Sequence, residues 1–459
     1  MGGLNAALSI GVQALEASQG ALDATSNNIA NANTPGYTRE VPQLAENGLN
    51  FANDTATGGG VSLEGLQSVR SELLNLQIAQ QTSAQSSVDT QSASLQQVQN
   101  YFASSGADIG SALSNFSSSL AQLSANPSSG SVQQSVLSNG QALARAFNTT
   151  ANGLTTVQSE ADSQVTQTVA QINTLTSQIA QLNGQLSQLT ASGQDGGTVQ
   201  DQRDQLVQQL SQLTGISVTQ SSNGETITTG SGSPLVMGNQ AFALQTTAGT
   251  DGFQQVIDSS GNNITSSIQG GQLGGAIAVR DQVIPGYLSQ LNTLASQFAT
   301  AFNTAQAQGY DSTGAAGGNF FTVPANPDDA AAGLSVAITS GSQIAISSDG
   351  SAGSNGNVQN LSNALTTALP SGQSAEQAYA GLVFQVGNDT SNASTQSSAI
   401  GQNILQLTNQ QNSVSGVSID QETANLIQYQ TAYEAAARIV STVQALSTVT
   451  LDMGSSQSY

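Results

Sequence analysis

Cysteine, histidine, lysine and tryptophan are absent from the 459-residue chain, and six arginines are its only basic side chains. Without histidine or cysteine there is no Ser-His-Asp or Cys-His nucleophile and no His/Cys zinc site. Without lysine there is neither a phosphate-cradling Walker loop nor a Schiff-base cofactor. Charge of any sign is scarce, 7% of residues against about 25% in ordinary soluble proteins. The 28 acids outweigh the arginines to a net charge of −22. That balance repels phosphate backbones and anionic lipid, so nucleic acid and membrane partners are not expected. No apolar run reaches the roughly 18 residues of a membrane span. The missing cysteines exclude disulfides and suit a reducing compartment or an export route without oxidative folding. Residues 1–15 carry no cation ahead of their apolar positions, unlike a secretory signal peptide.

What is present is periodic. Leu8, Leu15, Leu22 and Ile29 stand seven apart, with Gly11, Ser18 and Thr25 three residues after the first three. This is one seam of a coiled coil with small residues beside it, where a neighbouring helix can approach closely; an ordinary amphipathic core helix fits the same spacing. The other end repeats the arrangement: Ile419, Leu426, Tyr433 and Val440 are seven apart, with Tyr429, Ala436 and Val443 three residues on. Ser418 with Gln421 reads as a capping box at the start of that helix. Two such ends are expected to pair with each other or with copies of themselves.

Between them the pattern is mostly helical. Val165, Ile172, Ile179 and Leu186 form heptads with Leu175, Leu182 and Leu189, and a Gly-rich turn at 192–197 returns the chain through Val199, Arg203, Leu206, Leu210 and Leu213. A further helix is expected over Ile284–Phe302, and a long one over Tyr379–Val414, on the order of 50 Å. At Gly215 the period changes to two. Ser222-Asn223-Gly224 and Gly238-Asn239 are hairpin turn signals. Residues 216–272 are expected to form a small β domain, with 309–356 adding strands at Leu334–Ile338 and Gln343–Ser347. The expected fold is therefore α+β and mainly α: a long coiled-coil-like bundle with an inserted β-rich outer domain. Its parts would be terminal helices at 1–36 and 415–459, a helical rod at 37–215, 273–308 and 357–414, and an outer domain at 216–272 with 309–356.

No constellation supports catalysis. Asp328-Asp329 supplies too few oxygens for a metal site and reads as helix capping. Asp311-Ser-Thr-Gly lacks the alternating acids of a calcium loop and reads as a turn. Asp201, Arg203 and Asp204 read as surface ion pairs worth under about 1 kcal/mol each. No catalytic, metal or cofactor residue is expected, and no cofactor.

The informative string is Ser26-Asn-Asn-Ile-Ala-Asn-Ala-Asn-Thr-Pro-Gly-Tyr-Thr-Arg39. Physically it is an Asn-rich helix end, then Pro35-Gly36 stopping the helix, then Tyr37 and Arg39 for docking. It resembles the N-terminal signature of the bacterial flagellar rod, hook and hook-associated proteins. Ser415-Gly-Val-Ser-Ile-Asp-Gln-Glu422, followed by Asn425-Leu-Ile-Gln-Tyr-Gln430 and Ala432-Tyr433, resembles the same family's C-terminal signature. Within the family, the loop Asn33-Thr34-Pro35-Gly36-Tyr37-Thr38-Arg39 and the segment Asp201–Val207 followed by Gly215-Ile216 resemble the hook–filament junction branch. So do Leu273-Gly-Gly275, Ala301–Thr304, Gly309–Asp311 and Phe320-Phe321, in that order. The sequence looks shorter than longer members of the family, which carry an extra outer domain.

The resemblance implies a non-enzymatic structural subunit, exported unfolded through the flagellar type III apparatus with a FlgN-type chaperone at its C-terminal region. It further implies a ring of copies outside the cell, between the hook protein and a second, filament-side hook-associated protein. Leu8, Leu15, Leu22, Ile29, Ile419, Leu426, Tyr433 and Val440 would then be the assembly interface of an inner tube. The alternatives are another axial protein, hook or distal rod, and a secreted coiled-coil adhesin, which would not need both terminal signatures.

Overall fold

A computed structural model describes residues 2–48, 50–52, 55–102, 108–221 and 224–455. Helix α1 (Gly2–Ala30) leads to strand β1 (Glu40–Glu46), a short ribbon of β2 (Asn50–Ala52) and β3 (Thr55–Thr57), and β4 (Val61–Ser68), which returns antiparallel to β1. Four helices come next: α2 (Glu72–Phe102), α3 (Ile109–Ala125), α4 (Gly130–Ala191) and α5 (Gly197–Leu213). Strands β5 (Ile216–Ser221), β6 (Gly224–Thr229), β7 (Pro234–Met237) and β8 (Gln240–Ala241) form a meander in sequence order. β9 (Gln245–Ala248) and β10 (Gln254–Ile257) make a separate pair. Helix α6 (Gly271–Ala278) continues through a π-helical stretch, Val279–Val283, into α7 (Ile284–Ala307). The two-residue strands β11 (Phe321–Thr322) and β12 (Ser335–Val336) pair with each other. Helices α8 (Val358–Thr366), α9 (Ala375–Ser415) and α10 (Ile419–Ser455) complete the chain. The fold is α+β and mainly α, as the periodicities imply.

Helix α4 is the spine. Its 62 residues run about 93 Å at 1.5 Å per residue, and it contributes to two separate cores. In the first, Phe116 of α3, Phe147 of α4, and Phe298 and Phe302 of α7 are buried with residues of α8 and α9. In the second, the heptad residues Val165, Ile172 and Ile179 pack with Leu210 of α5, with Ile227, Leu235 and Val256 of the strands, and with Leu273 of α6. The expected second line, Leu175, Leu182 and Leu189, is only half-buried, and the buried line falls one residue later on Val169, Thr176 and Asn183; Asn183 donates to the carbonyls of Glu225 and Gly238, at 3.1 and 2.9 Å. It holds the strands to the helix with bonds that a leucine could not make.

Three features differ from the sequence reading. Residues 309–356 do not pack on the 216–272 strands. Phe320 and Phe321 instead pack edge-on against Phe302, with ring centroids 5.0 and 5.5 Å away, inside the helical core. Asn303 Oδ1 accepts both of their backbone N–H groups at 2.8 Å, so an irregular segment is buried without stranded polar groups. The strands expected there shrink to β12 and a single bridge between Tyr310 and Ser347. Second, residues 40–68, expected within the helical rod, form the β1–β4 pair. Third, Asp328-Asp329 lies in a 3₁₀ turn whose cap is Asn326. Asp311 accepts the Thr313 and Ala315 N–H groups, at 2.8 and 3.0 Å, the turn expected of it. The hairpin tip Ser222-Asn223 lies outside the described residues; Gly224 begins β6.

Candidate functional site: the clasp between the chain ends and the body

The two ends of the chain lie side by side. A Cβ built on Gly11 of α1 would meet Val440 Cγ2 of α10 at 2.9 Å, so the missing side chain is what lets the helices approach. The residues buried along this pair are small: Ala17, Ala21 and Ala24 on α1, Ala436 and Val443 on α10. Of the expected seam, Leu8, Leu15, Leu22, Ile29, Leu426 and Val440 are half-buried, while Ile419 and Tyr433 are exposed. The buried line thus falls on the small residues beside the leucines. A further apolar face of α10 is open, with Ile427, Ile439, Leu446 and Val449 each at least half exposed.

Past Ala30 the chain must leave α1 and enter β1. Asn33, Thr34, Pro35 and Gly36 are exposed, and Tyr37, Thr38 and Arg39 are half-buried. The Thr34 N–H returns to the Asn31 carbonyl at 2.9 Å and that of Tyr37 to Thr34 at 3.2 Å. Gly36 takes φ +78°, a left-handed conformation that any side chain would strain. Gln205 of α5 donates to the Pro35 carbonyl at 2.8 Å and pins the turn to the body.

Asn28 is the hub of the clasp. Its Nδ2 donates to the Glu40 carbonyl at 2.7 Å and to Glu422 Oε2 at 3.2 Å. Its Oδ1 accepts the Glu40 N–H at 2.9 Å and the Tyr37 hydroxyl at 2.8 Å. Arg39 Nε donates to Glu422 Oε1 at 2.7 Å, the Arg39 N–H reaches the Ser415 carbonyl at 3.0 Å, and Val69 donates to the Arg39 carbonyl at 2.8 Å. The Thr38 N–H is received by Asp201 Oδ2 of α5 at 2.9 Å. One short loop therefore joins α1, α10, the β1–β4 pair and the body. A charged carboxylate as enclosed as Glu422 needs its partners to stay buried, and Arg39 with Asn28 supply them.

The carboxylates here are crowded. Burial, with Asp195 and Asp201 nearby, pushes the Glu40 carboxyl up to about 7. Burial likewise raises Asp201, against the pull of Thr38 and Arg70, and burial above all raises the Tyr37 hydroxyl. Asp201 and Arg203, read from sequence as surface ion pairs, are both buried. Arg70 bridges Asp201 and Asp204 at 3.0 and 2.8 Å, and Arg203 bridges Asp204 and Glu225 at 3.0 and 2.7 Å. This network ties the start of α2 to α5 and to strand β6. Sequence reasoning picked out Tyr37 and Arg39 but missed Asn28, Glu40, Arg70, Glu225 and Glu422. Asn28 and Glu422 stand inside the two terminal strings, which was the available signal.

Paired terminal helices locked to an inserted body are the architecture that the two terminal strings led one to expect, and the comparisons supply the class, the flagellar axial proteins. Residues 8–38 match the family described as flagella basal body rod protein, and 410–453 match the flagellar basal body rod FlgEFG protein C-terminal family. Residues 95–321 match the helical domain of flagellar hook-associated protein FlgK. The flagellar hook-associated protein 1 of Bacillus subtilis is 30% identical over 478 residues, 93% of this chain and 94% of that one. That of Escherichia coli K12 is 27% identical over 528 residues, 94% and 96%. In structure, the flagellar hook junction protein FlgK from Burkholderia pseudomallei aligns with TM-score 0.66 and 21% identity, over 74% of this chain and all of that one. The chain belongs to the flagellar hook-associated protein 1 family, and so to the structural proteins of the bacterial flagellum.

Proposed function

We propose that this chain is the non-enzymatic subunit that joins hook to filament, polymerised from copies of itself between the hook protein and a filament-side hook-associated protein. The observation that carries the reading is the joining of both chain ends to one another and to the body at Asn28, Arg39 and Glu422. A subunit built this way transmits force from its end helices to its body without a flexible joint. Residues 1–36 and 415–459 form the inner tube. There Leu8, Leu15, Leu22, Ile29, Ile419, Leu426, Tyr433 and Val440, with the open face of α10, meet neighbouring copies. The loop Asn33–Arg39 sets the angle between tube and body. The 216–272 lobe faces outward, and 309–356 go with the helical rod through Phe320 and Phe321.

Export through the flagellar type III apparatus, with a FlgN-type chaperone on the C-terminal region, places the subunit outside the cell. The lack of cysteine suits that route, and the lack of histidine, lysine and cysteine supports a role without catalysis. Deleting the gene tests the proposal. Hooks should remain intact while filament protein spills into the medium, and restoring the chain should restore filaments. Normal filaments in the deletion strain would end this reading.

A further inference from the structure

Beside the clasp lies a cavity of about 850 Å³, walled by the Pro35–Thr38 loop, the first turns of α2, α5, strand β5 at Val218, Thr219 and Gln220, and the end of α9 with Ser415 and Gly416. Its lining is mixed: Leu76, Ile78 and Val207 stand beside the charges of Arg70, Arg203 and Glu225. Two lining residues carry buried polar atoms without a hydrogen-bond partner, Arg70 Nε and Glu225 Oε2. They stand at opposite ends of one ion-pair chain, Arg70–Asp204–Arg203–Glu225, whose links are 2.8, 3.0 and 2.7 Å. The carboxylate of Glu225 is more than nine-tenths buried. Buried donors and acceptors are rarely left unmatched in a completed structure. An occupant that matched both atoms would offer an acceptor at one end and a donor at the other. A single ion satisfies one end only, whereas a polypeptide main chain offers both groups along its length.

The strand in the wall points the same way. β5 pairs with β6 on one side and with no other strand among the described residues. An edge strand with open N–H and C=O groups is a template for an added strand. Along the facing wall, lining residues of α2 run from Glu72 to Thr82, about 15 Å of helix. That length holds about four to five residues of extended chain.

We propose that this groove binds an extended segment of a second copy of the chain, whose main chain adds to β5 and meets Arg70 and Glu225. The inference rests on the proposed assembly of copies into a junction. A second copy is the occupant because Pro35–Thr38 and Ser415–Gly416, the two points where the tube helices join the body, are themselves groove walls. Copies that pack through those helices are brought up to its mouth.

Because the chain has no cysteine, Thr219→Cys places a single thiol on the strand wall and Thr82→Cys one on the helix wall. Each full-length variant is labelled with a benzophenone maleimide, assembled on isolated hooks, irradiated, and mapped by mass spectrometry. Both labels should join the same short stretch of another copy, at least tenfold more in assemblies than in dilute monomer. Assemblies in which the labels form no crosslink, or join only the same chain or a different flagellar protein, overturn the groove proposal and leave the assembly reading standing. Failure of the unlabelled parent chain to assemble on hooks at all overturns the assembly reading itself.

Discussion

Arg39 and Glu422 are 383 positions apart in the chain and meet through a 2.7 Å bond from Nε to Oε1. The Glu422 side chain is 2% exposed and that of Arg39 is 18% exposed, so the two partners are not equivalent. Arg39→Ala strands a buried carboxylate, at a cost of about 3–5 kcal/mol. The expected result is loosening of α10 from the body, seen as faster amide exchange over residues 423–440. Glu422→Gln keeps hydrogen-bonding atoms at the site and leaves the less enclosed Arg39, so it should do less harm. Equal effects from the two substitutions would mean that burial of the carboxylate is not what matters.

The clasp should also respond to pH, through Glu40. Its carboxyl is raised from an ordinary 4.5 to about 7 by burial, then by Asp195 and Asp201. A raised value means the folded state holds the proton more tightly than the unfolded one. The stability contributed is then fully present below about 4.5 and lost as pH rises through about 7. Attachment of β1 to α1 is expected to weaken progressively between about pH 5 and about pH 8. Thermal unfolding of Glu40→Gln should lose this part of the slope. A melting profile identical to that of the parent across the window would show that Glu40 does not titrate there.

The placement of residues 309–356 in the helical core has its own consequence. Phe302 touches the rings of Phe116, Phe298, Phe320 and Phe321. Phe302→Ala is expected to cost about 3–5 kcal/mol in denaturant unfolding and to expose 309–356 to protease. The strand lobe at 216–272 belongs to the other core and should keep its protection. Loss of both regions together would argue that the two cores unfold as one unit.

The end helices should be the least stable part of the free subunit. The apolar side chains buried along them are four alanines and one valine, which contribute little apolar area, while ordering each residue costs about 1–2 kcal/mol for the backbone alone. In dilute monomer, amides of α1 and α10 should exchange about a hundredfold or more faster than those of α4. Assembly should remove the difference. Equal protection in the monomer would show that the ends fold without neighbours.

The helices, the heptads at Val165–Leu186 and the docking role of Tyr37 and Arg39 were legible because each rests on local spacing. The partner of Arg39 was not, since nothing local links it to Glu422. Asp201 and Arg203 looked like solvated charges because the stretch Gln200–Gln205 is polar all round; their burial depends on Arg70 and Glu225 from distant elements. Residues 40–68 were missed because Pro42 and Gly65 interrupt the alternation that marks a strand. The irregular 309–356 segment was misplaced for a related reason. Its turns resemble those of a β lobe, and only the aromatic pair Phe320-Phe321 points to the helical core.

Inside the assembled flagellum, one chain is expected to close its own two ends on each other and to hold them to its body. Gly11 and Val440 offer the direct test, because a Cβ at position 11 falls within 2.9 Å of the Val440 side chain, and cysteines whose Cβ atoms lie about 3.5–4.5 Å apart can be bridged. Gly11→Cys with Val440→Cys, in a chain that has no other thiol, is assembled at the hook tip and oxidised. A disulfide within single chains is expected, with filaments still growing beyond them. A disulfide found only between different copies would contradict this, and so would filament growth that stops whenever the bond forms.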